Sequence, residues 1–306
     1  MKTLTLLLCF ACIAAIAQQP AQIPGRIYLS TDQGVTWKQM DKGFPHDESI
    51  NAWVEKDKTI IAGTDAHGIF ISSEQLKSWH PSNKGLPAQV RIISLVIHNQ
   101  FLFAGSYGHG LFYSDDLGET WTAANRGLNN LNVRCLYSYG SILFAGTDSG
   151  LYRSFDDGKS WDVNVSGIQF NSFSSLNRQL YVATNQGVLA SKDGDKWDWI
   201  YSEGAIFSLA AKGEEIYLQD FFGAVYRSLA RNLVWLKADL YLPFRYTFQL
   251  TPGGRKFFTI DWKHAIRQLN NIETFQAPGF PRNTLIMELL NTSHGLLAGV
   301  ALPKGC

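Results

Sequence analysis

What the chain lacks narrows it first. Only 17% of its 306 residues are charged, and 27 Lys and Arg balance 26 Asp and Glu to a formal net charge of +1. Without an excess of one sign there is no broad basic surface of the kind that non-specific nucleic-acid binding requires. There are four cysteines. Cys9 and Cys12 lie in the first apolar run, and Cys135 and Cys306 alone are too few for a disulfide framework. After that first run no stretch approaches about 18 uninterrupted apolar residues, so stable membrane insertion is not expected. Absent too are G-x-S-x-G, H-E-x-x-H and a Gly-rich phosphate loop. Two histidines, His67 and His109, lack a nearby third ligand for zinc. Neither a metal nor a cofactor is therefore expected, and no catalytic residue is assigned. What is plentiful is core: 45% hydrophobic and 13% aromatic residues describe a folded globular chain.

The amino end reads Met1, Lys2, the apolar run Leu4 to Ile16, then Ala15-Ile16-Ala17 before Gln18-Gln19-Pro20. That is the order of a secretory signal peptide, with cleavage expected after Ala17 and a secreted or periplasmic product. Cys9 and Cys12 raise a lipoprotein as the alternative, but too little of the apolar run precedes them. Residues 18–306 are read as a single domain. Within it, Cys135 falls in the strand-like run Val133 to Tyr137, where it suits a small core residue.

A repeat organises that domain. Ser30-Thr31-Asp32-Gln33-Gly34-Val35-Thr36-Trp37 recurs at Ser114 to Trp121 and at Ser154 to Trp161, all obeying S-x-D-x-G-x-[ST]-W. Looser copies run Ser72 to Trp79, Ser191 to Trp197, Ser228 to Trp235 and Gln268 to Phe275. The closing aromatics stand 42, 42, 40, 36, 38 and 40 residues apart. Short apolar strands precede most copies, as in Ile60-Ile61-Ala62-Gly63-Thr64, Leu102-Phe103-Ala104-Gly105-Ser106 and Leu143-Phe144-Ala145-Gly146-Thr147. One unit thus reads strand A, strand B (Ala-Gly-Thr), strand C, S-x-D-x-G-x-T-W hairpin, strand D. Four antiparallel strands in about 40 residues make a propeller blade.

The ends fit the same count. Gly25 to Met40 supplies only a C–D hairpin, while Thr284 to Leu290 and Leu296 to Val300 supply only an A–B pair. Joined, they complete one blade and pair edges that would otherwise invite aggregation. The expectation is an all-β, seven-bladed propeller of four-stranded antiparallel blades, closed by its two termini.

The S-x-D-x-G-x-[ST]-W block resembles the Asp-box, or BNR, repeat of sialidase-like β-propellers, over essentially the whole exported chain. Its residue types have local reasons. Asp32, Asp116 and Asp156 accept hydrogen bonds from turn N–H groups. Gly34, Gly118 and Gly158 permit positive φ, and Trp37, Trp121 and Trp161 bury large rings. These boxes mark the fold and not the chemistry.

The resemblance also implies a working face opposite the Asp-box rim, built from B–C and D–A turns. Its candidates are His67, Tyr107, His109, Asp220 and Trp262 in B–C turns, and Arg91, Arg134, Arg245 and Arg282 at the axial entrances of A strands. Arg91 and Arg134 read as nearly equivalent positions of consecutive repeats. Such a cluster implies a glycan or an acidic peptide or protein as ligand, bound by a monomeric, non-enzymatic propeller. The size is similar to single seven-bladed propellers of the photosystem II assembly-factor type. The alternative is a glycoside hydrolase of sialidase-like or xyloglucanase-like type. Against it, Gly25-Arg26-Ile27-Tyr28 lacks the proline of the sialidase motif, and xyloglucan-hydrolysing relatives work between two such domains. Carboxylates such as Asp65, Asp148 and Asp220 could instead neutralise the arginines within the scaffold.

Overall fold

The computed structural model describes residues 26–241 apart from 33 and 73–75, short strands between 251 and 275, and residues 285–301. Residues 1–17, Arg245, Trp262, Arg282 and Cys306 lie outside the described residues. No helix among them is long and apolar enough to cross a membrane.

Each repeat forms a four-stranded antiparallel sheet whose strands neighbour one another in chain order. The sheets span residues 50–81, 91–123, 133–166, 170–201, 206–241 and 251–275, and a further sheet joins the termini. Side chains are described in six of these sheets. Seven blades were expected; packing is described in six, and Thr251–Phe275 is defined by its backbone ladder alone.

In the terminal sheet the order is D, C, B, A, with C from the amino end and B from the carboxyl end. Ile27 lies opposite Gly299, Tyr28 opposite Ala298, Leu29 opposite Leu297 and Ser30 opposite Leu296. The two half-blades of the sequence thus share one hydrogen-bonded sheet, and each satisfies an edge of the other.

Blades pack face to face through strand B, which is buried along nearly its whole length, as in Phe101–Tyr107. The glycine of Ala-Gly-Thr is the reason they come so close. A Cβ on Gly63 would stand 2.4 Å from Ile92 of the next blade, one on Gly105 2.7 Å from Val133, and one on Gly146 2.7 Å from Phe170. These glycines make room for the neighbouring A strand rather than for a turn.

The Asp-box hairpins form the opposite rim. In the first, Ser30 Oγ donates to Asp32 Oδ1 (2.7 Å), and Asp32 accepts Thr36 N (2.9 Å) and Thr36 Oγ1 (2.5 Å). These bonds, led by that from the Thr36 hydroxyl, lower the Asp32 carboxyl to about 2. The same pattern recurs at Asp116 and Asp156, and the glycines have φ of 93°, 92° and 75°. Trp37, Trp121 and Trp161 are buried. Trp121 Nε1 donates to Ser82 O and Trp161 Nε1 to Ala124 O, so each ring ties its blade to the preceding one. Cys135 is a free, buried thiol that burial pushes up to about 12.

Candidate functional site at the axial mouth

The inner strands share one irregularity. Their pairing shifts between Ile50 and Ala52, Ile92 and Ser94, Val133 and Cys135, Phe170 and Ser172, Ile206 and Ser208, and Ile286 and Glu288. A bulge inserts one unpaired residue and re-aims its side chain. Here those residues are Asn51, Ile93, Arg134, Asn171, Phe207 and Met287, and all six line one cavity of about 380 Å³ at the axis. Arg91 and Tyr107 complete its wall. A second cavity of about 330 Å³ lies further along the inner strands and shares Ile93, Ser172 and Glu288 with the first.

The structure brings Arg91, Arg134 and Tyr107 together in this mouth, though not as expected from the repeat. By strand register Arg134 matches Ile93, and Arg91 matches Asn132, two residues earlier. The bulge falls at the same register in both blades, so the offset lies in the sequence itself: Arg91 stands 14 residues before Gly105, and Arg134 12 before Gly146.

Both arginines are paired. Arg91 Nε meets Asp65 Oδ1 of the preceding blade at 2.6 Å, with both side chains about half exposed, and Arg134 Nε pairs with Asp148 of its own blade. Arg91 also lies over the Tyr107 ring, 5.9 Å from its centroid. In each pair the carboxylate takes Nε. The Nη ends make no hydrogen bond among the described residues. Asn51 Nδ2 donates to Ile92 O (3.0 Å) and Asn171 Nδ2 to Ile206 O (2.8 Å), pinning the mouth's walls across blade boundaries.

The remaining described candidates serve the turns. Asp220 accepts Phe222 N (2.9 Å), Ala224 N (2.8 Å) and Tyr226 OH (3.2 Å), and so caps the turn where other blades use Thr or Ser. His67 Nδ1 lies 2.5 Å from Glu48 Oε2, and the buried Glu48 carboxylate also accepts the N–H groups of Ser49, Asp65, Ala66 and His67. His109 is exposed, and its carbonyl accepts Asn125 Nδ2 as that of His67 accepts Asn83 Nδ2. Neither histidine lines the cavity.

Sequence reasoning missed Glu48, Asn51, Asn171 and Glu288. For Glu48 a signal existed, since Val90, Leu131 and Ile168 stand at the matching places of the next repeats. For the asparagines the bulge hid the register.

The BNR/Asp-box repeat family is matched at residues 28–39 and 112–123. No curated protein matches the sequence. Among solved structures, the extracellular domain of BT4673 from B. thetaiotaomicron is similar with TM-score 0.66 and 14% identity over 90% of this chain. The chain spans 38% of that protein's length. YCF48 bound to D1 peptide aligns with TM-score 0.61 and 11% identity over 85% of this chain and 94% of that one. An ancestral GH74 enzyme aligns with TM-score 0.56 and 15% identity over 76% of this chain and 36% of its own. Such identities speak for the fold alone. Strict Asp-box turns on a ring of four-stranded antiparallel blades make the chain a BNR-type β-propeller.

Proposed function

We propose that this chain is an exported, non-enzymatic propeller, closed as a ring of seven blades, that binds a carboxylate-bearing glycan or acidic peptide at its axial mouth. The observation that carries the reading is one cavity lined by Arg91, Arg134 and Tyr107, with each guanidinium ion-paired at Nε and, among the described residues, hydrogen-bonded at neither Nη. A guanidinium so held is oriented, and its two Nη groups can take a ligand carboxylate end-on. Tyr107, 43% exposed, offers a face for stacking. Similarity to YCF48 bound to D1 peptide supports a peptide as one form of the ligand.

A glycan and peptide array on the protein lacking residues 1–17 identifies binders. Arg91→Ala with Arg134→Ala should weaken the strongest acidic binder by about 2–4 kcal/mol, since charge-assisted bonds are lost. The melting temperature should move little, because exposed ion pairs contribute about 0–1 kcal/mol. A double variant that loses stability yet binds normally would show that the arginines are scaffold. The similarity to an ancestral GH74 enzyme favours one alternative, glycoside hydrolysis. Release of an aryl group from a sialoside or β-glucoside would establish it in place of simple binding.

A further inference from the structure

The turn between the strands Glu215–Asp220 and Ala224–Leu229 departs from the other mouth-facing turns. The matching turns of four other blades, residues 65–68, 108–109, 148–149 and 185–186, hold only Asp, Ala, His, Gly, Ser, Asn and Gln. This one holds Phe221 and Phe222, which are 40% and 77% exposed. Their backbone is fixed. Phe222 N and Ala224 N donate to Asp220 Oδ1 (2.9 and 2.8 Å), and Phe221 N donates to Ala205 O (3.1 Å), so the turn that presents both rings is held at three points. From this turn an aromatic surface runs inward. The Phe222 ring meets that of Phe221 edge-on with centroids 6.0 Å apart, and Phe221 lies 5.0 Å from Phe207. Phe207 is the bulged residue that this blade gives to the axial cavity. One apolar strip thus links the outer lip of blade 206–241 to the cavity that Arg91 and Arg134 line.

Contiguous apolar surface on a fixed turn is costly in water and marks a place where a partner docks. The polar groups beside the rings decide which partner. Asp220 is engaged by three donors. Asn171, which stands between Arg134 and Phe207 in blade order, gives Nδ2 to Ile206 O (2.8 Å) and accepts Gln169 Nε2 at Oδ1 (2.7 Å). A sugar laid on the phenylalanines would find these groups already taken, and hydroxyls desolvated without partners lose free energy. An apolar side chain carries no such cost. Arg91 and Arg134, with side chains 50% and 31% exposed, supply the complementary charge for a carboxylate beside it. We propose that the mouth binds an acidic peptide in which a large apolar side chain, best an aromatic one, docks on Phe207, Phe221 and Phe222 while a nearby carboxylate meets the arginines. This rests on the reading of the mouth given above and chooses the peptide over the glycan.

The probes are short peptides with both termini blocked, each carrying one Asp and one Phe about one to four residues apart, since an extended chain advances about 3.3 Å per residue. Calorimetric titration of the protein lacking residues 1–17 compares them with forms that carry Ser for Phe or Asn for Asp, and with an oligouronate. The best Asp–Phe peptide should bind about tenfold tighter than its Ser form, the effect of burying one large apolar side chain. Phe222→Ser should remove most of that advantage and leave the Ser form's affinity unchanged, while Phe222→Leu should keep the Asp–Phe peptide within about threefold. Neither change should move the melting temperature, because the Phe222 ring is exposed. Arg91→Ala with Arg134→Ala should weaken the Phe and Ser forms alike. Equal affinity of those two forms, or indifference of the Asp–Phe peptide to Phe222→Ser, overturns the proposal and leaves the arginine mouth standing. So does an oligouronate that binds tighter than every peptide. If the Asn form binds as tightly as the Asp form, or no probe binds up to about 1 mM, a threshold for even weak affinity, the reading of the mouth fails and the proposal with it.

Discussion

The Asp-box rim and the axial mouth are the two ends of the same blades, and they treat their charges in opposite ways. At the rim each aspartate is solvated, locally bonded within five residues of chain, and repeated almost atom for atom in three boxes. At the mouth the charges are singular. One blade offers Arg134 where others offer asparagine, isoleucine, phenylalanine or methionine, and its carboxylate partner comes from fourteen residues away. Repetition preserves what holds a blade together, while the differences between repeats gather at the axis, where six of the blades each contribute a bulged residue to a common surface.

The largest test of this contrast removes the closure. A chain ending after Arg282 loses the strands at Leu285–Thr292 and Gly295–Ala301 and leaves Ile27–Ser30 an open edge. It should aggregate or fail to unfold cooperatively, as followed by size-exclusion chromatography and thermal melting; a monomeric, cooperative truncation would break the closure. Next comes a pairwise comparison of the two ends. Trp121→Ala should cost about 3–5 kcal/mol in denaturant unfolding, the usual range for a buried aromatic. Arg134→Ala, at a partly exposed ion pair, should cost about 1 kcal/mol or less. Equal costs would erase the distinction between scaffold rim and functional mouth.

The smallest effect is a pH dependence. Burial raises the Glu288 carboxyl well above its ordinary 4.5. A raised carboxyl stabilises the fold below the ordinary value and loses that contribution as pH rises through its own. Among the described residues, the other ionisable groups lining the two cavities are Arg91, Arg134, Tyr107, Cys135 and Tyr137. The stability of Glu288→Gln relative to the parent should therefore increase steadily from about pH 4.5 toward neutrality, as measured by denaturant midpoints. A constant difference would mean that water reaches the carboxyl freely.

How far the sequence could be read depended on whether the interactions were local. Asp32, Gly34 and Trp37 announce themselves because an Asx-type turn is closed by neighbours in sequence, and glycine alone takes φ near 93° without strain. The half-blades at 25–40 and 284–301 were legible because an unpaired edge has only one complement in the chain. That Asp220 caps its turn was not legible, because a turn-capping carboxylate and a ligand-binding one look alike in sequence; its three donors meet it only in the folded chain. Arg91 and Arg134 stand two register positions apart, and what the sequence did not show is the bulge that both strands share: no residue type in Ile92-Ile93-Ser94 announces it, yet it brings Ile93 and Arg134 to the cavity wall.

The amino-acid sequence by itself determined the blade: the period near forty, the turn chemistry of the rim, and the glycines that later admit the neighbouring strand. Only the tertiary structure decided what meets at the axis. Six bulged residues converge there, the first five about forty positions apart and the last two 80, and Glu288 and Trp53 line one cavity although 235 residues separate them. Hydrogen bonds within a turn are written in adjacent letters, whereas a ring brings distant letters together only when it closes, so its centre cannot be read from any one repeat.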